Sequence, residues 1–455
     1  MAKQDSYIRS FLDNGLLAVN LFRMTNHSLK QGQPAGGYLT KNFWLGVTNG
    51  VLFNFASAFI SASTVLPLFL SRLTSSQILI GLASSLETLG WFLPQIAVAA
   101  ATLHRKYQKP IYVSTALVRG PAFLLFAVLV FVLGKVNPSF LVVSFFFLFS
   151  LYSFGGGLGG VAFTDIVGKA VPPDRRGSFF GTRMFLGGGL AAISGVLIQR
   201  ILKGYDFPTN FGILFLIASA LIFLALTSFV LVQEPPTIGR LQKRSIKENL
   251  LLGLKIARGD RNYRMLLLTR IAIGSYIMGL PFYILYAKRY LFIPTSLAGI
   301  LLSVQMVGYL SSNLLWAYLS NRSQNRLILV ISAFCASLCP LLILLNMVVR
   351  LPMWTYGSIF FFLGATMSGT DMGYVNYLLE IAPEEKRPIY IGFLNTVVGL
   401  TVFLSALGGL IIQVSSFASL YVLLLMIGFL SILLSFSLKD LRKTISSRSL
   451  TADRS

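Results

Sequence analysis

Twelve apolar runs, each near the roughly 20 residues that a helix needs to cross a bilayer core, constrain this chain more than any other feature. They lie at about 43–70, 78–101, 111–134, 139–167, 179–202, 210–232, 265–289, 295–318, 327–349, 354–380, 389–413 and 418–437. Hydrocarbon offers the backbone no water, so each run must satisfy its own amide and carbonyl groups, and a helix does so within one segment. The expected class is an all-α integral membrane protein with 12 transmembrane helices. Composition agrees: 12% of residues are charged, against about 25% in a soluble chain. That leaves no case for two or three soluble domains.

A loop that occurs twice divides the runs. Residues 171–190 read VPPDRRGSFFGTRMFLGGGL and residues 382–400 read APEEKRPIYIGFLNTVVGL. Each follows an apolar run, opens with proline beside acidic residues, carries two adjacent cations (Arg175 and Arg176; Lys386 and Arg387) and reaches a glycine five residues on, Gly181 or Gly392. The spacing is close to half the chain, which points to two homologous six-helix bundles, as in transporters built by duplication. The expected division is an N-terminal segment 1–41, a first bundle 42–232, a linker 233–264, a second bundle 265–437 and a tail 438–455. In the linker, Ile246, Leu250 and Leu254 recur every four residues among charges, the pattern of an amphipathic helix beneath the bundles. FLDNGLLAVNLF, near the N-terminus, carries a weaker pattern of the same kind.

The net charge of +23 could suggest a nucleic-acid partner, but the cations occupy short segments between apolar runs. With both termini cytoplasmic, 29 of the 38 Lys and Arg fall on the inner side, while Arg72, Lys135, Arg200, Lys203, Lys288, Arg289 and Arg350 fall outside. That bias satisfies the positive-inside rule and predicts a multi-pass protein of the cell inner membrane. No nucleic-acid binding is expected. Cys335 and Cys339 are four apart in one run, a spacing that the backbone of a helix does not bring into ordinary disulfide geometry, and they have no partners for a metal; packing is their expected role. No His-Glu-x-x-His motif or Ser-His-Asp set is evident, and neither an enzyme, a metal nor a cofactor is expected.

Twelve spans, a basic central loop and two similar halves resemble the major facilitator superfamily. The family's loop after helices 2 and 8 reads roughly G-x-L-[AS]-D-R-x-G-R-R. Here the second copy is AYLSNRSQNR, in which Leu319, Ser320, Arg322 and Arg326 match while Asn321 replaces the aspartate. The first copy, ATLHRKYQKP, keeps Leu103 and Lys106 but has Arg105 where the aspartate belongs. The resemblance implies two bundles rocking about a central site, with Arg175, Arg176, Arg322, Arg326, Lys386 and Arg387 in gating loops. It also puts the usual aspartate latch in doubt, leaving Asp174 and Glu385 as substitutes.

Charges inside hydrocarbon cost roughly 2.5–3.5 kcal/mol each on insertion scales and need a partner or a wet cavity. Five stand out within the runs: Glu87, Arg119, Asp165, Arg270 and Asp371. Helical rise puts Glu87 and Arg119 within reach of each other, as a buried ion pair. Arg270 in span 7 and Asp371 in span 10 lie at compatible depths, and the resemblance places those helices beside the central cavity. An arginine there could clamp an anionic solute, and Asp371, or else Glu87 or Asp165, could carry a proton; a salt bridge that only holds helices together is the alternative. Asn54, Ser57, Ser61 and Thr64 form a polar stripe in span 1, and Tyr276 and Tyr374 flank the charges in spans 7 and 10. The expected solute-binding set is therefore Asn54, Arg270, Tyr276, Asp371 and Tyr374. GGGLGG at 155–160 lies within a span and lacks the Lys-Ser or Lys-Thr of a phosphate loop, so close helix packing explains it better.

The expectation is a secondary transporter for a small solute, anionic if Arg270 binds it, moved by alternating access with protons as coupling ion. A monomer in the lipid bilayer is the expected state. A passive facilitator, or a non-transporting assembly or sensor protein on the same scaffold, remains open.

Overall fold

The computed structural model describes residues 36–102, 106–236, 246–349, 351–383 and 386–440. The apolar patch near the N-terminus, Glu385 and residues 441–455 of the tail lie outside them. The chain is all α. Span 1 is α1 (Gly36–Phe59) and the short α2 (Val65–Leu70); α3 (Gln77–Thr102), α4 (Lys109–Leu133), α5 (Pro138–Ala170), α6 (Arg176–Gly204) and α7 (Thr209–Val230) complete the first bundle. The linker carries α8 (Ile246–Gly259). The second bundle has α9 (Arg261–Gly274) and α10 (Tyr276–Tyr290) as span 7, then α11 (Ala298–Ser320), α12 (Asn325–Val349) and α13 (Met353–Ile381). Span 11 is split into α14 (Arg387–Thr401) and α15 (Leu404–Val414), and α16 (Phe417–Ser437) ends the bundle.

Among the described residues, nine segments are long and apolar enough to cross a membrane by that criterion alone. The other three spans, α1, α3 and α13, are 24, 26 and 29 residues long. Their polar residues, among them Asn42, Asn49, Glu87, Thr370 and Asp371, dilute the apolar signal. Around the outside, large apolar side chains such as Leu117, Phe147, Ile193, Phe223, Leu314 and Leu433 stay exposed, as a lipid-facing surface requires.

Both bundles are held by aromatic packing at the end away from the termini. Phe69 lies edge-on to Phe126 and Phe215, at ring separations of 5.9 and 5.0 Å, and Phe145 stacks on Phe149 at 5.0 Å. In the second bundle Tyr421 meets Tyr283 at 5.3 Å, and the Tyr356 hydroxyl donates to the Tyr283 carbonyl. Such pairs add about 0.5–1.5 kcal/mol each beyond the area they bury.

The two bundles also meet at that end. A Cβ on Gly81 of α3 would overlap the Ser405 carbonyl of α15, and one on Gly409 would overlap the Gln77 carbonyl. Gly195 of α6 and Gly299 of α11 each press on the other's carbonyl. Side chains bridge the same region: Ser63 donates to Gln305 at 2.6 Å, and Lys288 to Ser71 at 3.1 Å. Glycine at these crossings lets two backbones touch, the usual device for packing helices in lipid.

Two local expectations change. The span 1 stripe is not one helical face, because α1 stops at Phe59; Ser61 and Thr64 lie in the break, where Ser61 and Ser63 share a 2.9 Å hydrogen bond. In the linker, α8 forms as expected but packs through Gly253, against Phe393, and the buried Ala257, while Leu254 is exposed. The small residues allow contact with the bundle, and Leu251, Leu252 and Leu254 face outward. Cys335 and Cys339 are free and buried, and the Cys339 thiol lies 3.4 Å from the Cys335 carbonyl.

Candidate functional site

The second bundle gathers the charged pair expected from the sequence. α9 stops at Gly274, and Ser275 turns the chain with its hydroxyl donating to Ala272 at 2.7 Å. That break sets Arg270 at the end of one helix and Tyr276 at the start of the next. Asp371, on α13, is exposed and accepts a 3.3 Å hydrogen bond from the Tyr309 hydroxyl of α11. Tyr276 lies near Asp371, Thr370 and Arg270, and the Thr370 hydroxyl donates to the carbonyls of Thr366 and Met367 on its own helix. The Arg270 guanidinium lies 4.7 Å over the Tyr374 ring.

Arg270 and Asp371 do not form the salt bridge that was the alternative reading. Among the described residues, the ion pairs within 4 Å are Lys169 with Asp165 and Lys169 with Glu234. The aromatic face of Tyr374 takes the guanidinium, an arrangement worth about 0.5–2 kcal/mol depending on solvent exposure.

The first bundle holds a second cluster. A cavity of about 210 Å³ is lined by α1, α3, α4, α5 and α6 and contains Glu87, Arg119 and Arg183. Glu87 and Arg119 are not paired directly, contrary to expectation. Arg119, 8% exposed, donates from Nε to the Tyr152 carbonyl at 3.1 Å and lies 4.8 and 5.1 Å over the Tyr152 and Phe53 rings. Those partners hold its stem along α5 and away from Glu87. The glycine run explains itself here: a Cβ on Gly156 would come within 3.1 Å of the Arg119 guanidinium, and one on Gly160 within 2.8 Å of the Trp91 ring. Wide side chains cross the helix where it has none of its own.

The remaining expected residues separate. Asn54 packs against Gly187 of α6, and α1 lines the cavity with Asn49, Phe53 and Ser57. Asn49 donates to the Ala225 carbonyl at 2.8 Å and to Tyr112 at 3.3 Å. Asp165 is neutralised by Lys169 one turn on, near the end of α5. Lys169 also meets Glu234 at 3.0 Å, and Glu234 accepts from the backbone amides of Gln108 and Lys109 at 2.7–2.9 Å, capping α4. In the loops, Arg176 donates to the carbonyls of Gly168 and Val171 at 2.6 and 3.2 Å, and Arg322 lies 4.2 Å over Tyr318. Arg326 donates to the Phe436 carbonyl, Asp174 and Lys386 are exposed, and Arg175 and Arg387 are half-buried.

Three residues escaped the sequence reading. Arg183 falls inside 179–202 yet was grouped with the preceding loop; it lies two turns into α6, fills the space over Gly50 and sits 4.7 Å over the Phe163 ring. Tyr309 follows Gln305 by one turn, a polar pair within span 8 that could have drawn notice. Glu234 follows span 6 and gives no local sign of its reach to Lys169.

The comparisons agree with this architecture. Residues 280–453 match the model of the Major Facilitator Superfamily. Uncharacterized proteins of Mycobacterium tuberculosis and Mycobacterium bovis are 23% identical over 260 residues, which is 56% of this chain. The chain spans about half the length of the curated relatives it matches, 50% of each. Among solved structures, the xylose transporter XylE from E. coli, in a partially occluded inward-open conformation, superposes with a TM-score of 0.64 at 14% identity over 88% of this chain and 97% of its own. The nucleoside transporter NupG gives 0.60 at 14% identity over 88% and 98%. A POT family peptide transporter gives 0.62 at 13% over 87% and 96%. The family model covers residues 280–453, and the likeness to these structures shows the fold, an all-α multi-pass membrane architecture of the kind they share.

Proposed function

We propose that the protein is a secondary active transporter that carries a small solute across the cell inner membrane by alternating access, coupled to protons through Asp371. Arg270 binds solute charge, and Tyr276 and Tyr309 orient the solute beside it. The positive-inside bias supports cytoplasmic termini. In that orientation the bundles close on each other at the outer end, and the cleft faces the cytoplasm.

The observation that carries the reading is the setting of Asp371. It lies ten residues from the terminal end of α13, about 15 Å deep at 1.5 Å per residue. It is exposed there, held by a neutral hydroxyl and not bonded to Arg270. A carboxyl at that depth that is not consumed in a salt bridge is free to exchange a proton when the cleft changes sides.

The test is solute movement across a broad chemical library in proteoliposomes, with and without an imposed pH gradient. Gradient-driven accumulation of one solute, lost in Asp371→Asn, supports the proposal. Accumulation that survives Asp371→Asn removes this residue from coupling, and equilibration without accumulation under any gradient favours a passive facilitator.

A further inference from the structure

We infer that the cavity in the first bundle is an anion site for a small organic acid, separate from the Arg270 and Asp371 cluster. Three observations carry this. First, it holds two guanidiniums, Arg119 and Arg183, and one carboxylate, Glu87, with no ion pair joining them within 4 Å. Second, Arg119 is 8% exposed and donates from Nε to the Tyr152 carbonyl, with the Tyr152 and Phe53 rings against its guanidinium face; Arg183 bonds the Gly46 carbonyl at 3.3 Å through one terminal nitrogen. Each keeps further donors for an oxyanion, and an arginine buried that far without a carboxylate in contact is costly unless a ligand completes it. Third, the walls are aromatic, with Phe53, Trp91 and Phe163 around the charges, and exposed Ser57 and Trp91 mark its mouth.

Charge and size select the ligand. The two guanidiniums call for an anion, and the formal charges of Arg119, Arg183 and Glu87 sum to a single positive one, which a monocarboxylate matches. The cavity, about 210 Å³, admits a carboxylate with a compact apolar body and little more. The carboxylate lies between Arg119 and Arg183, the body lies against Trp91 and Phe163, and Glu87 repels any second negative group. Gly156 and Gly160 keep the α5 wall open for Arg119 and Trp91.

The inference deepens the transport reading by supplying an acid-binding subsite beside the cleft, but binding is measured without transport. The full chain in detergent is titrated with benzoate, and with benzamide as its neutral counterpart, following the melting temperature. Benzoate should stabilise the protein in a saturable way and benzamide should not. Arg183→Gln should weaken benzoate roughly tenfold or more, the size of one lost charge-assisted hydrogen bond. Glu87→Gln should tighten it by several-fold, a direction that simple damage to the fold does not produce. Gly189→Ala, with no atom within 4 Å of the added carbon, should bind benzoate as the unaltered protein does. Should Arg119→Gln fail to fold, Arg183→Gln and Glu87→Gln still decide the matter. No saturable benzoate effect, an equal effect of benzamide, or benzoate affinity unchanged in both variants overturns the assignment. Transport of another solute with no benzoate binding would sink this inference alone; benzoate binding without transport of any solute would sink the transport reading alone.

Discussion

Arg270 and Asp371 share one face of the second bundle without bonding to each other: the guanidinium lies 4.7 Å over the Tyr374 ring, and the carboxylate accepts from Tyr309 at 3.3 Å. A direct salt bridge would cancel both charges and leave neither for a solute or a proton. Here each charge is positioned by a neutral aromatic side chain on another turn or helix, which fixes its place and preserves its charge.

This arrangement separates charge from shape at Arg270. Arg270→Gln removes the cation; Arg270→Lys keeps it but loses the planar group that stacks on Tyr374. Both substitutions are expected to raise the KM for the transported solute, by roughly tenfold for the loss of one charge-assisted contact, and lysine should not rescue. Uptake kinetics in proteoliposomes check this. A lysine variant with unaltered KM would show that stacking on Tyr374 contributes nothing.

The closed end gives a conformational prediction. Gly195 and Gly299 leave no room for a side chain between α6 and α11, so Gly195→Leu should hold the bundles apart at that end. Spin labels on Ser75 and Phe292, both exposed, should report a longer separation. Uptake should fall to below about a tenth of normal, since a closure costing even 1.4 kcal/mol more is populated tenfold less. An unchanged distance would mean that the helices slide past the added bulk.

How much of this could be read from the chain depended on range. Spans and their pairing into halves follow from local apolar length, and residues such as Leu117 and Leu433 announce lipid by themselves. Breaks were harder: nothing in NFASAFISAST marks Phe59 as the end of α1, because serine in a membrane span reads equally as a polar stripe. Contacts between distant segments were hardest. Arg119 was matched to Glu87 by depth alone, and depth cannot show that the Tyr152 carbonyl and two aromatic rings hold its guanidinium first. Arg183 was hidden by the repeated loop motif 171–190, which overlaps the start of span 5, and Glu234 by its separation of 65 positions from Lys169.

Glu234 is expected to matter for stability more than for transport. Its side chain is 1% exposed and joins Lys169 to the amides that begin α4. Glu234→Ala strands those donors, a loss of about 1–3 kcal/mol for an unsatisfied buried group. The melting temperature of the purified protein should fall by several degrees, with solute KM unaltered. A fall in uptake at normal melting temperature would assign the network to gating instead.

Two glycine substitutions of the same chemistry should act in opposite directions. Replacing glycine by alanine within a helix gains up to about 1 kcal/mol from backbone entropy. At Gly189 of α6 no atom lies within 4 Å of an added Cβ, so Gly189→Ala should raise the melting temperature. At Gly160 of α5 the added carbon meets the Trp91 ring at 2.8 Å, and overpacking of that kind costs about 1–3 kcal/mol. The steric term exceeds the entropic one, so Gly160→Ala should lower the melting temperature. Because Trp91 walls the cavity in the first bundle, the same substitution should also weaken benzoate while Gly189→Ala leaves it unaltered. A higher melting temperature for both variants would mean that Trp91 swings clear at little cost, and the glycine run in α5 would then owe its place to something other than the side chains that cross it.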